Sequence, residues 1–242
     1  TEKDNTEKLV EYVGECRGMG LKIVPPDLNR SGLNFEVEDS SIRFGLSAIK
    51  GVGEATVEAT LQARSKSQRF DSLDELCAQV DRKALGRRPL EAMIKAGALD
   101  ELGERARVFA GIDAAMERGA RAASDRSTGQ VSLFGDEPKS AVASYPLPDV
   151  PAWSDRERLA GEKEALGFYL SGHPLDAHRS RLDETTSHGV SALEGSTGEV
   201  VVGGLIVALK RRRTKSGDMM AVFDLEDTSG SAECVVFPKL YR

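Results

Sequence analysis

Aromatic residues are scarce in this 242-residue chain, at 5%. Any core it forms must therefore rest on Leu, Val and Ala, and its length suits one or two ordinary domains. Cysteine is limited to Cys16, Cys77 and Cys234, far apart and odd in number. That pattern fits neither a disulfide framework nor a thiolate metal site, and three reduced thiols are expected. The three histidines, His173, His178 and His188, show no ligand spacing with Asp or Glu. No metal and no cofactor are expected in this segment, and His173 is expected to cap a helix end or pack in a turn. No apolar run approaches the length of a membrane span, so no membrane partner is expected. The opening TEKDNTEKLV lacks both Met and an apolar stretch. We expect no signal peptide, a cytoplasmic location and a segment taken from a longer chain. A net charge of −6 argues against a general nucleic-acid coat but leaves room for local basic faces.

What the sequence does have is the stretch 42–64, IRFGLSAIKGVGEATVEATLQAR. An apolar-periodic segment (Phe44, Leu46, Ile49) leads into Lys50-Gly51-Val52-Gly53, and a second helix is expected from Glu54. Two helices joined by Gly-hydrophobe-Gly make a tight hairpin, with Val52 plugging the joint. The N–H groups at such a turn suit an anion, and a DNA phosphate fits without any base being read. A purely structural turn, with glycines for packing, is the alternative. A base-excision glycosylase uses the same hairpin with a catalytic Asp about twenty residues on; Asp71 and Asp74 lie near that spacing. However, Glu54-Ala55 stand where the bifunctional enzymes carry a lysine, and the cysteines of an iron–sulfur cluster are missing.

Before this stretch, the periodicity predicts a helix over 8–16, an extended piece at 21–26, a turn at 27–32 and a small hairpin over 34–43. After it, a third helix begins at Asp71, capped by Asp71 or Ser72, with Leu73, Leu76, Cys77 and Val80 buried. Residues 83–88 form a basic connection. A fourth helix has Pro89 in its first turn and Gly97 at its end. Residues 96–100 read as a second, weaker hairpin, followed by a helix over 105–118. In this region Arg82, Lys83, Arg87, Arg88, Lys95, Arg105 and Arg107 outnumber Glu91, Asp100, Glu101 and Glu104. They suit either phosphate contact or a solvated surface.

Composition changes at Gly119. Residues 119–152 read as a Pro/Ser/Gly linker interrupted by one apolar island, Gln130-Val131-Ser132-Leu133-Phe134. Residues 153–182 read as helical, stopped by Gly172 and Pro174. From 199 the period becomes that of strands, with a bulge expected at Gly203-Gly204. A basic loop, Lys210-Arg211-Arg212-Arg213-Thr214-Lys215, is expected between the first two strands and suits single-stranded nucleic acid. Asp224, Glu226 and Asp227 read as a solvent-facing cluster. Three strands are too few to close a barrel, so a truncated last domain is expected. The fold class expected is α+β and multidomain: a mostly α region of two related helical hairpins, a linker, then a small β domain.

RFGLSAIKGVGEATVEATLQAR resembles the helix-hairpin-helix of the bacterial family C replicative polymerases, the DNA polymerase III alpha subunits. Four further stretches carry the resemblance in order: ECRGMGLKIVPPDLNRS, LEAMIKAGALDELGERARV, EKEALGFYLSGHPLD and GLIVALKRRRTKSGDMMAVFDLEDTSGSAECVVFP. The resemblance implies the end of a fingers region over 1–41, a tandem hairpin domain over 42–118, a linker over 119–152, a helical connector over 153–195 and the opening of an OB-fold over 196–242. It implies duplex DNA at Lys50, Gly51, Val52, Gly53, Lys83, Arg87 and Arg88, and single-stranded template at Lys210, Arg211, Arg212, Arg213 and Lys215. It further implies a sliding clamp bound by Gln130, Ser132, Leu133 and Phe134, with other replicase subunits as partners. The family's catalytic carboxylates lie upstream of the matched residues. Polymerisation, with its Mg2+ and dNTPs, and 3′–5′ exonuclease activity are thus expected of the parent chain and not of this segment. The alternative function is a helix-hairpin-helix repair enzyme or a nuclease accessory.

Overall fold

A computed structural model describes residues 6–128 and 145–241. They fall into two compact units, Thr1–Ser171 and Gly172–Arg242. The first opens with α1, Thr6–Gly18, which buries Leu9 and Val13. Three short strands follow: β1 (Lys22–Val24), β2 (Glu36–Glu38) and β3 (Ser41–Arg43). The expected hairpin is present, with β2 antiparallel to β3. Beyond that expectation, β1 adds to β3 in parallel. The Asp27 carboxylate accepts the N–H groups of Asn29 (2.7 Å) and Arg30 (3.0 Å), which fixes the turn before the hairpin.

The expected helix before Lys50 is reduced to one 3-10 turn, Leu46–Ala48. Its backbone donors are used elsewhere. Leu46 N–H goes to Gly32 O (3.0 Å) and Ser47 N–H to Leu33 O (3.1 Å), so the segment is pinned to the preceding loop. Helix α2 (Glu54–Ser67) starts where the sequence placed it. Helix α3 (Leu73–Gln79) is capped by Ser72, whose hydroxyl accepts the Glu75 N–H. Helix α4 (Arg87–Lys95) begins two residues before Pro89. Arg87 and Arg88 therefore belong to its first turn and not to a connection.

The single helix expected over 105–118 is two helices: α5 (Arg105–Ala110) and α6 (Ile112–Thr128), broken at Gly111. Helix α6 runs well past Gly119. That glycine marks a close packing of α6 on α3, where a Cβ would lie 2.5 Å from the Cys77 carbonyl oxygen. Residues 145–154 return to the same unit. Tyr145 N–H donates to Asp74 (3.3 Å), the Arg118 guanidinium sits 4.5 Å over the Tyr145 ring, and Arg107 donates to Pro148 O (3.0 Å). Helix α7 (Asp155–Leu166) starts on a Ser154/Glu157 capping box and ends at Gly167, in the left-handed conformation at φ +93°. It thus stops five residues before Gly172. One core gathers α1, the first hairpin, α2 to α6 and the end of α7, from Leu9 through Phe44, Val52, Leu76 and Ile94 to Leu166 and Phe168.

The second unit holds α8 (Arg179–Thr185) and a meander of β4 (Leu205–Arg213), β5 (Met219–Glu226) and β6 (Ser231–Val236). The expected bulge is displaced. Strand β4 begins after Gly204, and its register slips between Val207 and Lys210, where Ala208 has φ +51°. Gly203 and Gly204 instead allow close contact, with Leu182 and with the Glu226 carbonyl respectively. Asp227 is no idle solvent-facing acid. It accepts N–H groups of Val190 (2.8 Å), Ser229 (2.7 Å) and Gly230 (2.9 Å). Burial opposes its charge, but the Ser229 hydroxyl and these N–H groups prevail and hold the carboxyl below its ordinary range. Among the described residues no helix is long and apolar enough to cross a membrane.

Candidate nucleic-acid interface

The first hairpin presents its tip outward. Lys50, Gly51 and Gly53 are exposed, while Val52 is buried at 5% exposure and plugs the joint as its position suggested. Gly51 has φ +82°, a conformation that excludes most side chains. Gly53 is the N-cap of α2 and offers no side chain to its first turn. Nothing lies within 4 Å of where a Gly53 Cβ would stand. An anion can approach the start of α2 closely there, at the positive end of the helix dipole.

The fold brings the turn around Ala84 and helix α4 close to this tip. Thr56, in the first turn of α2, donates its hydroxyl to Ala84 O (2.8 Å). A Cβ on Gly51 would lie 3.9 Å from the Ala92 methyl, and Ala92 sits one helical turn beyond Arg88 on the same face of α4. Lys50, Arg82, Lys83 and Arg88 are exposed and form no ion pair with another described residue. Lys83 is held in its turn by Asp81, which accepts its N–H (2.9 Å). Arg87 is engaged by Glu91 (2.7 Å) and Asp113, and those two carboxylates push its guanidinium pKa upward.

The second hairpin differs in accessibility. Gly97 repeats the left-handed geometry at φ +84°, yet Ala96, Ala98 and Leu99 are all at or below 3% exposure. Its carbonyl at Ala98 is taken by the Leu28 N–H (2.7 Å). Arg105 packs over Gly97 and donates to Asp100 through Nε and Nη2, both at 2.8 Å. This hairpin is closed by its own chain. Lys95, Arg105 and Arg107 are likewise committed to internal partners. The glycosylase-like positions are also occupied: Asp74 is buried against Arg118 (2.6 Å), and Asp71 pairs with Arg69 (2.8 Å).

The basic run of the second unit is not a loop. Lys210, Arg211, Arg212 and Arg213 lie within β4, and only Lys215 falls in the turn, which Thr214 N–H and Asp218 O close at 2.8 Å. Strand alternation divides the run. Lys210 (opposite Val222) and Arg212 (opposite Met220) share one face, whereas Arg211 and Arg213, opposite Ala221 and Met219, share the other. Gln130, Ser132, Leu133 and Phe134 lie outside the described residues. Sequence reasoning passed over Glu162 and Ala165, which tie the hairpins together, and read Arg105 as a phosphate contact or solvated surface where it is part of that tie. The only local signal was Gly161, a glycine within a helical pattern, which often marks close packing.

The region 20–108 matches the family model described as a helix-hairpin-helix motif. In class, residues 20–108 are thus similar to helix-hairpin-helix proteins. Over nearly its whole length it is also similar to the DNA polymerase III alpha subunits. It is 39% identical to that subunit of Vibrio cholerae over 97% of the chain, 40% identical to that of Deinococcus radiodurans over 99%, and 38% identical to that of Escherichia coli K12 over 97%. The chain spans about a fifth of the length of these curated relatives: 21%, 19% and 21% respectively. It is similar to one segment of the DNA polymerase III alpha subunits.

Proposed function

We propose that this chain is the part of a replicative DNA-directed DNA polymerase that grips duplex DNA by its backbone. The observation that carries this reading is the exposed first hairpin, with open space over Gly53 and four exposed cations of the same unit, Lys50, Arg82, Lys83 and Arg88, that pair with no other described residue. Contacts of that kind are sequence-independent. The chemistry, with its Mg2+ and dNTPs, belongs to the parent chain. The three-stranded meander is read as the opening of an OB-fold, whose basic strand meets single-stranded template. Gln130, Ser132, Leu133 and Phe134 are read as a linear motif for the sliding clamp. In sequence the motif falls between residues 128 and 145, which both belong to the hairpin unit. A clamp bound there is held beside the duplex grip, and its effective concentration is set by the short connecting chain.

The test is a duplex titration over a range of salt concentrations. With up to four phosphate contacts, log affinity should fall against log salt with a slope of about −3 to −4. Affinity independent of salt would sink the reading.

A further inference from the structure

The two hairpins are joined through the last turns of α7. The final carbonyls of a helix have no partner within it, and that of Ala165 accepts the Lys50 N–H at 2.8 Å. One turn earlier, Glu162 is 1% exposed. Its Oε1 accepts from Arg105 Nη1 (3.0 Å), and its Oε2 accepts the N–H groups of Leu170 (3.0 Å) and Ser171 (2.9 Å). Arg105 in turn holds Asp100 and donates to Lys95 O (3.3 Å). Lys95 Nζ donates to both oxygens of Glu164 at 2.8 Å. A Cβ on Gly161 would already lie 3.4 Å from the Lys95 side chain, so α7 lies close against the end of α4. Four consecutive residues, 162–165, therefore hold the exposed hairpin by a backbone carbonyl and the closed hairpin by two carboxylates.

We infer that Glu162 is a positioning residue for the duplex grip: by fixing α7 against the second hairpin, it sets where the Ala165 carbonyl holds Lys50 and the exposed tip. The inference rests on the reading of the first hairpin as the duplex contact. Glu162 is buried and negatively charged, so it does not itself meet a phosphate. Burial opposes its charge, but the Ser171 and Leu170 N–H groups and Arg105 outweigh that effect and hold its carboxyl below the ordinary range. The tie is therefore charged at neutral pH. Loss of the carboxylate leaves Arg105 with Asp100 and the Lys95 carbonyl and loosens its hold on α7.

The experiment uses the full chain with Glu162→Gln, and Glu162→Asp as the conservative variant. Lys50 amide exchange should speed up about ten-fold while amides inside α2, such as those of Thr60 and Ala63, keep their wild-type rates. Duplex affinity should fall about ten-fold under conditions where circular dichroism shows the variant folded, with Glu162→Asp between the two. Unchanged Lys50 exchange overturns the coupling. Faster exchange with wild-type duplex affinity overturns the positioning role. If wild-type chain itself fails to bind duplex, the hairpin reading falls while Lys50 exchange still decides the coupling. Should Glu162→Gln not fold, the exposed tie is removed by Lys95→Met with Glu164→Gln. That pair should move exchange and affinity in the same direction, and no change in either overturns the inference.

Discussion

Single side chains in this molecule are sorted by what surrounds them more than by what they are. Of the seven cations between 82 and 107, Arg105 is wrapped over a glycine and paired with Asp100 and Glu162. Arg88 stands exposed on the first turn of α4. Cys77 shows the same sorting among the thiols. Its burial, with Asp74 beside it and Arg118 only partly compensating, pushes its pKa up to about 12. Thiolate is the reactive form, so Cys77 should resist iodoacetamide at pH 8 in the native chain and react once the chain is unfolded in guanidinium. Rapid native alkylation at Cys77, read by mass spectrometry, would contradict the packing of α3 on α6.

At the level of elements, periodicity and capping signals made much of the fold legible. Ser72 and the Gly53–Glu54 boundary were readable because each end has a local cause, a side-chain cap or a glycine before an apolar-periodic run. The parts that were not legible depend on distant partners. The helix expected at 44–49 collapses to one 3-10 turn because Gly32 and Leu33 claim its donors. The linker expected from Gly119 is helix up to Thr128; Gly119 itself is where α6 packs against Cys77 of α3. The run 210–213 reads as a loop by charge, yet β5 pairs with it throughout. Gly119 offers a test whose sign decides. An exposed helical Gly→Ala substitution stabilises by about 1 kcal/mol. Here the added Cβ would meet the Cys77 backbone, so Gly119→Ala should destabilise the hairpin unit by about 1–3 kcal/mol. A raised thermal midpoint would refute the α3–α6 contact.

Across the molecule, the second hairpin is closed by its own chain, whereas the first is exposed and is the contact surface in the proposed function. The two hairpins read in the sequence thus have different fates, decided by whether Leu28, Asp100 and Arg105 cover the tip. Clamp and duplex should be separable on this account. Gln130→Ala with Phe134→Ala should abolish clamp binding by fluorescence anisotropy while duplex affinity stays unchanged, because the proposed duplex contacts are the Gly51–Gly53 tip and its neighbouring cations. Retained clamp binding would remove the linear motif from the account.

The central claim is that the Gly53 tip meets the DNA backbone, and Gly53 is the clean place to ask. Its φ of −73° suits any residue and its surroundings are empty, unlike Gly51. Gly53→Leu should therefore keep the wild-type unfolding midpoint to within about 1 kcal/mol and yet block the close approach of a phosphate. A titration of fluorescent duplex with wild-type and Gly53→Leu chains at one low salt concentration should show affinity reduced about ten-fold or more. Equal affinity in a folded Gly53→Leu chain would contradict the claim.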